Sequence, residues 1–124
     1  MSESKNDARI AVDPGVCGFT CVIRVKQLDK RLVAIEIAES ECEQIKKLDG
    51  RLETISLREL FTPLTQNPVY KAAQACGCHA SCAIPSAVLK AAEVAMGMAL
   101  ARPVRFSFDR EKEEIGRASC RERV

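Results

Sequence analysis

The stretch TCVIRVKQLDKRLVAIEI, residues 20–37, decides the fold. Apolar residues occupy every second position, first at 21, 23 and 25 and then at 33, 35 and 37, on either side of a polar turn at Asp29-Lys30. A period of two is typical of strands that bury one face. We therefore expect strands over residues 20–26 and 31–37, joined as an antiparallel hairpin.

Helices are predicted after this hairpin from their start and stop signals. The pairs Ser40/Glu43 and Ser56/Glu59 have the spacing of a capping box, in which each side chain satisfies a backbone N–H group of the other residue. Asn67-Pro68 supplies a third start, an N-cap followed by proline at the first helical position. The predicted ends are Asp49-Gly50, Pro63 and Gly77, and a fourth, Ala-rich helix is predicted from about Pro85 to Leu100, before Pro103.

Two further strands are predicted, one on each side of these elements. Residues 8–13 form a short apolar run before a Pro-Gly turn, and residues 104–108 alternate between apolar and polar side chains. The resulting order is β-β-β-α-α-α-α-β. It predicts an α+β fold, an antiparallel three- to four-stranded sheet with helices packed on one face.

The length of 124 residues fits one domain, which we assign to residues 1–114 as a single cysteine-rich α+β domain. The last ten residues, IGRASCRERV, look like the translation of a sequencing adapter, so we interpret 115–124 as a tail derived from one. Removing its three arginines and one glutamate takes Lys+Arg from 19 to 16 and Asp+Glu from 17 to 16, so the net charge falls from +2 to 0. With that charge balance we expect no nucleic-acid partner.

The polar N-terminus and the absence of an apolar run near the roughly 18 residues of a membrane span predict a cytoplasmic protein without membrane association. Thiols in that compartment stay reduced. Dense cysteine there indicates metal or redox chemistry rather than a disulfide framework.

Six of the seven cysteines lie in the first 114 residues. Cys17 lies in a glycine-rich loop, Cys42 lies at a predicted helix start, and the run CGCHASC, residues 76–82, surrounds the only histidine, His79. Loops and helix N-termini are positions where thiols are accessible and activated. Cys21 is interpreted as a core residue of its strand, Cys76 fits core packing equally well, and His79 could equally be an exposed loop residue.

One arrangement resembles the U-type iron–sulfur cluster scaffold proteins. That family has a Pro-x-Cys-Gly loop before a hairpin, as in Pro14-Gly15-Val16-Cys17-Gly18, a second cysteine at the next helix start, as at Cys42, and a third before a long Ala-rich helix, as at Cys82. The resemblance implies that Cys17, Cys42 and Cys82 are cluster ligands, with His79 as a possible fourth. Phe19 departs from the family, which has aspartate at that position.

The stretch from His79-Ala80-Ser81-Cys82 to Ala99-Leu100 is also similar to a family of uncharacterised small cysteine-rich proteins of anaerobic bacteria and archaea. That resemblance implies no established activity.

We therefore hypothesise a metal-binding protein that carries or assembles an iron–sulfur cluster, or holds zinc, and exchanges it with protein partners. The alternatives are a thiol oxidoreductase or transferase with Cys42 as the reactive thiol and Cys78 or Cys82 as its partner, and a structural zinc module. The candidate metal ligands are Cys17, Cys42, Cys82, His79, Cys78 and Cys76.

Overall fold

The computed structural model describes residues 7–13 and 20–109. In this part of the chain the strands are β1 (Ala8–Val12), β2 (Cys21–Asp29), β3 (Leu32–Ala38) and β4 (Thr54–Ser56). The α-helices are α1 (Glu43–Arg51), α2 (Leu57–Leu60), α3 (Pro68–Ala75) and α4 (Ile84–Ala95), with a 3₁₀ turn at Leu64–Gln66. The predicted α+β class is confirmed.

The four strands form one antiparallel sheet in the order β1-β2-β3-β4. The predicted hairpin is its centre: β2 and β3 turn at residues 30–31, where the Arg31 N–H donates to Asp29 Oδ1 at 2.7 Å. On the outer face Arg24 lies opposite Glu36 and forms an ion pair with it at 3.7 Å. The register therefore keeps charged side chains on one face and leaves the other face apolar.

All helices pack on the apolar face, as the sequence predicts. Helix α4 lies over β1 and β2, α1 lies over β3, and α3 contacts both helices. The core between the layers is almost entirely aliphatic, and each fully buried side chain of this size contributes about 1.5–3 kcal/mol. The most deeply buried aliphatic residues include Ile23, Val25, Val33, Leu48, Ile55, Val69, Ile84 and Val88.

The predicted last strand is wrong. Residues 104–108 have no regular secondary structure and are exposed, and the fourth strand is instead β4, directly after α1. Its central residue Ile55 is fully buried opposite Val33. Three residues are too few for alternation to be recognised in the sequence, because a single apolar residue defines no period.

Two helix boundaries at α1 are also corrected. The helix begins at Glu43 with Cys42 as its N-cap, so Ser40 does not form the predicted capping box; its Oγ accepts the Cys42 N–H at 3.2 Å in a turn before the helix. The helix passes the predicted end at Asp49-Gly50 by one residue and ends at Arg51. Within it the Asp49 carboxylate accepts the Ile37 N–H of β3 at 2.8 Å, which ties α1 to the sheet.

Helix α4 is shorter than predicted, because it ends at Ala95 rather than near Leu100. Gly97 adopts a left-handed conformation with φ 76°. The N–H groups of Gly97 and Met98 donate to the carbonyls of Val94 and Glu93, at 3.0 and 2.8 Å. This is a Schellman motif, which ends a helix at a glycine.

Asn67 joins α2 to α3 and is the one buried polar residue in the described chain. Its Oδ1 caps α3 by accepting the Val69 N–H at 2.9 Å, as predicted. Its Nδ2 donates to the carbonyls of Glu59 and Thr62 at 3.3 and 3.2 Å, with a longer contact of 3.5 Å to Leu60. One carboxamide therefore satisfies the end of one helix and the start of the next.

We expect Asn67→Asp to destabilise the protein although aspartate retains the cap. The carboxylate cannot donate to the carbonyls that Nδ2 now serves and is repelled by them, so the loss should reach about 2–3 kcal/mol, at about 1 kcal/mol for each lost bond. Ser56→Ala, which removes an exposed cap from α2, is the control and should cost about 1 kcal/mol. Urea unfolding measures both; equal stability of Asn67→Asp and the parent would contradict the role of Nδ2.

Candidate functional site

Five cysteines lie where four segments of the fold begin or end. Cys21 is the first residue of β2, Cys42 directly precedes α1, Cys76 and Cys78 follow α3, and Cys82 precedes α4. We call these five residues the thiol end. The sheet explains part of this grouping. Val22 pairs with Ala38, so the start of β2 and the chain that leaves β3 toward α1 lie at the same end of the strands.

A second Schellman motif positions the thiols after α3. Gly77 is left-handed, with φ 82°, and its N–H donates to the Gln74 carbonyl at 3.1 Å. The Cys78 N–H donates to the Ala73 carbonyl at 3.0 Å. A methyl group on Gly77 would lie 3.8 Å from the side chain of Gln44 in α1, so the end of α3 lies beside the start of α1.

Burial and neighbouring thiols raise the pKa values of two members of the thiol end. The pKa of Cys21 rises to about 11 because the side chain is buried and because Cys82 and Cys42 add negative charge nearby. The pKa of Cys78 also rises to about 11, first through burial and then through Cys82, Cys76 and Cys42. Charges shift a pKa only at short range, so Cys42 and Cys82 lie within electrostatic reach of both Cys21 and Cys78.

The two longer helices that start at the thiol end have no side-chain cap among the described residues, whereas α2 and α3 are capped by Ser56 and Asn67. At α1 the N-cap is Cys42 itself, whose Sγ donates to Gln44 Oε1 at 3.2 Å. At α4 the N-cap is Ala83, which has no polar side-chain atom. The positive N-terminal ends of both helices therefore lack a side-chain cap, and each lies next to a thiol along the chain, Cys42 at α1 and Cys82 before Ala83 at α4.

The predicted site residues differ in accessibility. Cys42, Cys78 and Cys82 are half-buried, and Cys76 is buried in the core. His79 is exposed, and its backbone carbonyl accepts the Cys82 N–H at 3.1 Å. Helix α4 starts at Ile84, so His79 and Cys82 do not share a helical face. All five described cysteines are outside disulfides.

Cys17, with the rest of residues 14–19, lies outside the described residues. Within the described residues, no group of three His, Cys, Asp or Glu side chains is arranged so that it could hold a metal ion. The predicted ligand set of Cys17, Cys42 and Cys82 includes one residue beyond that description, so it stays a prediction.

The interaction of Cys21 with other cysteines of the thiol end was not predicted from the sequence. Its side chain is 2% exposed and belongs to the core, as its alternating position predicts. It nevertheless interacts electrostatically with Cys82 and Cys42. The signal in the sequence was the position of Cys21 as the first residue of a strand. An inward side chain at a strand end lies near the ends of the helices that cover the sheet, as well as near the core between the two layers.

Fold and site together define a small α+β domain with a cysteine-rich end. The chain belongs to a family described as a family of unknown function (DUF6951), whose model matches residues 8–108. This match agrees with the expectation of an uncharacterised family. Searches of the curated proteins and of the solved structures found no match. In the described part of the chain, no helix combines the length and the hydrophobicity that crossing a bilayer requires.

We expect Gly77→Ala to lower the free energy of unfolding by about 1–2 kcal/mol, because alanine is strained in the left-handed conformation of the Schellman motif. Gly50→Ala is the matched control. Gly50 lies inside α1 with open space around it, so that variant should gain about 0.5–1 kcal/mol. Urea unfolding of both variants tests this, and a neutral Gly77→Ala would contradict the assignment of the motif.

We expect the metal-free, reduced protein to lose stability between about pH 9 and pH 11. Unfolded thiols ionise near their ordinary pKa of 9.0, while folded Cys21 and Cys78 stay protonated until about 11. The contribution of these two protonated thiols to the free energy of unfolding is fully present below pH 9 and is lost as the pH rises through 11. The urea midpoint should fall less between pH 9 and pH 11 in Cys21→Ala/Cys78→Ala than in the parent. An equal fall in both proteins would show that these two thiols do not cause the loss of stability.

Proposed function

We propose that the protein binds a soft metal centre, an iron–sulfur cluster or zinc, at the thiol end and acts as a carrier or assembly scaffold. The single observation that supports this proposal is the electrostatic interaction between thiols of four separate segments. Thiolate sulfur is the donor that suits these centres. The principal ligands in this proposal are Cys17, Cys42 and Cys82, with Cys76, Cys78 and His79 competing for the remaining place.

The raised pKa values of Cys21 and Cys78 mean that both thiols hold their protons near neutral pH, so a metal that used either thiol as a ligand would have to displace a proton. Clustered thiols repel one another as thiolates and therefore hold their protons, but a bound cation would reverse that preference by neutralising the charge. Binding would then release protons, and affinity would rise with pH. The uncapped starts of α1 and α4 support the same charge distribution, because their N–H groups would stabilise a net negative thiolate site.

Cys17 is essential to this proposal. The described side chains alone contain no group that could hold a metal ion, and Cys17 belongs to the segment between Asp13 and Cys21, the residue that starts β2.

The oxidoreductase alternative rests on Cys42, a half-buried thiol at the N-cap of α1 whose Sγ donates to Gln44 Oε1 at 3.2 Å. The raised pKa of Cys78, about 11, makes Cys78 a poor resolving thiolate at neutral pH, since exchange requires the ionised form. Cys82 is left as the resolving thiol in that scheme. We prefer the metal-binding function because it draws on thiols from several segments, whereas the oxidoreductase needs only the pair Cys42 and Cys82.

The cellular setting of the proposal follows from composition. A reducing, cytoplasmic compartment would keep the thiols available, and a carrier requires a protein that donates the metal and one that accepts it.

We expect anaerobically purified protein, reconstituted with iron and sulfide or with zinc alone, to retain metal through the thiol end. Cys17→Ser, Cys42→Ser and Cys82→Ser should each weaken retention roughly tenfold or more, since loss of a direct ligand should exceed the effect of an outer-shell substitution. Cys120→Ser, which changes a thiol in the tail beyond the family match, is the control and should retain metal like the parent. Metal analysis and visible absorption measure retention.

Two results would reject a labile metal centre. Equal retention by all four variants would show adventitious binding. A parent protein that binds no metal but has one rapidly alkylated thiol at Cys42 would favour the oxidoreductase. Unfolding on chelation would instead indicate a structural zinc site, because a carrier must stay folded after it releases its metal.

A further inference from the structure

The thiol of Cys42 is held by a side-chain hydrogen bond at the start of α1. Its Sγ donates to Gln44 Oε1 at 3.2 Å. The Cys42 backbone is fixed on both sides, because its N–H donates to Ser40 Oγ at 3.2 Å and its carbonyl accepts the Lys46 N–H at 3.0 Å. Rotation about the Cα–Cβ bond is therefore the main freedom left to this thiol, and the bond to the Gln44 carboxamide fixes that rotation.

Gln44 lies where two elements of the thiol end meet. It is the second residue of α1 and is exposed, but its Cγ lies 3.8 Å from the place that a methyl group on Gly77 would occupy, in the turn after α3. The carboxylate of the preceding residue, Glu43, forms an ion pair with Lys46 Nζ at 3.8 Å. In the first turn of α1 the carboxamide, and not this neighbouring carboxylate, bonds to the thiol.

The direction of this hydrogen bond matters for what the sulfur can bind. An N-cap side chain ordinarily accepts an N–H group of the first helical turn, but the Cys42 side chain forms no such cap bond. Gln44 engages the thiol through its proton instead. The sulfur lone pairs, through which a thiolate binds a metal, are therefore not used to cap the helix.

We propose that Gln44 is the positioning residue for the Cys42 sulfur, as an acceptor while the thiol is protonated and as a donor once the sulfur binds a metal. The second half of this inference rests on the proposed metal-binding function. A glutamine carboxamide has one acceptor oxygen and two N–H donors. When Cys42 binds a cation, its proton leaves to solvent and its sulfur becomes an acceptor, so a half-turn about the Cγ–Cδ bond of Gln44 replaces S–H···O by N–H···S.

The charges around Cys42 make a donor at this position valuable. The chain has a glutamate on each side of this cysteine, Glu41 and Glu43, and a third carboxylate would add to the negative charge beside a thiolate. A glutamate at position 44 would favour the start of α1 through the helix dipole but could not donate to the sulfur. Hydrogen bonds to ligating sulfurs tune a metal centre, and losing such an outer-shell partner typically weakens metal binding about 10–100-fold.

Two substitutions separate the acceptor from the donor. Gln44→Leu removes both groups, whereas Gln44→Glu keeps an acceptor and has no donor when it is ionised. The first measurement is the S–H stretching band of Cys42 in the infrared spectrum of the metal-free, reduced full chain, assigned by difference from Cys42→Ser. We expect this band to move to higher frequency in Gln44→Leu, where the thiol has lost its acceptor, and to stay at or below the parent frequency in Gln44→Glu.

The second measurement is zinc affinity, determined by competition with a chelator. Both variants should bind zinc about 10–100-fold more weakly than the parent. Gln44→Glu should nevertheless be no less stable to urea, because a negative charge at a helix start is favourable, so its weaker binding would not reflect a weaker fold. Gln66→Leu, at an exposed glutamine of the 3₁₀ turn, is the control and should change neither the band nor the affinity.

The two measurements distinguish failure of this inference from failure of the proposed function. An S–H band that does not move in Gln44→Leu would overturn the positioning role even in a protein that binds zinc. Zinc affinity equal to or above that of the parent in Gln44→Glu would overturn the role of the carboxamide as donor. A parent that binds no zinc, iron or cluster would reject the metal-binding function, and the donor half of this inference with it.

Discussion

The one-sided hydrophobicity of the β2–β3 hairpin is the constraint on which the structure depends. Its inward residues are buried while Arg24 and Glu36 pair across the outer face, so every helix must return to the same side of the sheet. Because the strands are antiparallel, chain segments that enter and leave this layer meet at its ends. The grouping of five cysteines at one end follows from that topology and not from their spacing along the chain.

The same constraint explains how much of the fold could be predicted. Alternation in β2 and β3 is long enough to fix strands, direction and face, and the caps at Ser56 and Asn67 are local signals that need no tertiary information. Residues 104–108 carry an equally clear strand pattern, yet a strand needs a partner, and within residues 7–13 and 20–109 no strand pairs with them. Sequence periodicity reports what a segment can form, whereas pairing decides what it does form.

Helix boundaries at the site could be predicted less well, because tertiary hydrogen bonds decide them. The pair Asp49-Gly50 is typical of a helix end. In the structure the Asp49 carboxylate accepts a backbone N–H of β3, and the helix continues to Arg51. The predicted cap at Ser40 would place Cys42 in the first turn of α1, whereas Cys42 is itself the N-cap and its Sγ donates to Gln44 Oε1. The involvement of Cys21 depends on which helix ends lie over the start of β2, and no local pattern contains that information.

The aliphatic core has a consequence for spectroscopy. The chain contains no tryptophan and one tyrosine, and that residue, Tyr70, lies half-buried on α3. The protein is therefore nearly transparent above the peptide absorption, and its intrinsic fluorescence reports from a single helix. Any charge-transfer band from sulfur to metal would appear against an almost empty background, so this fold would make even a weakly absorbing centre optically conspicuous.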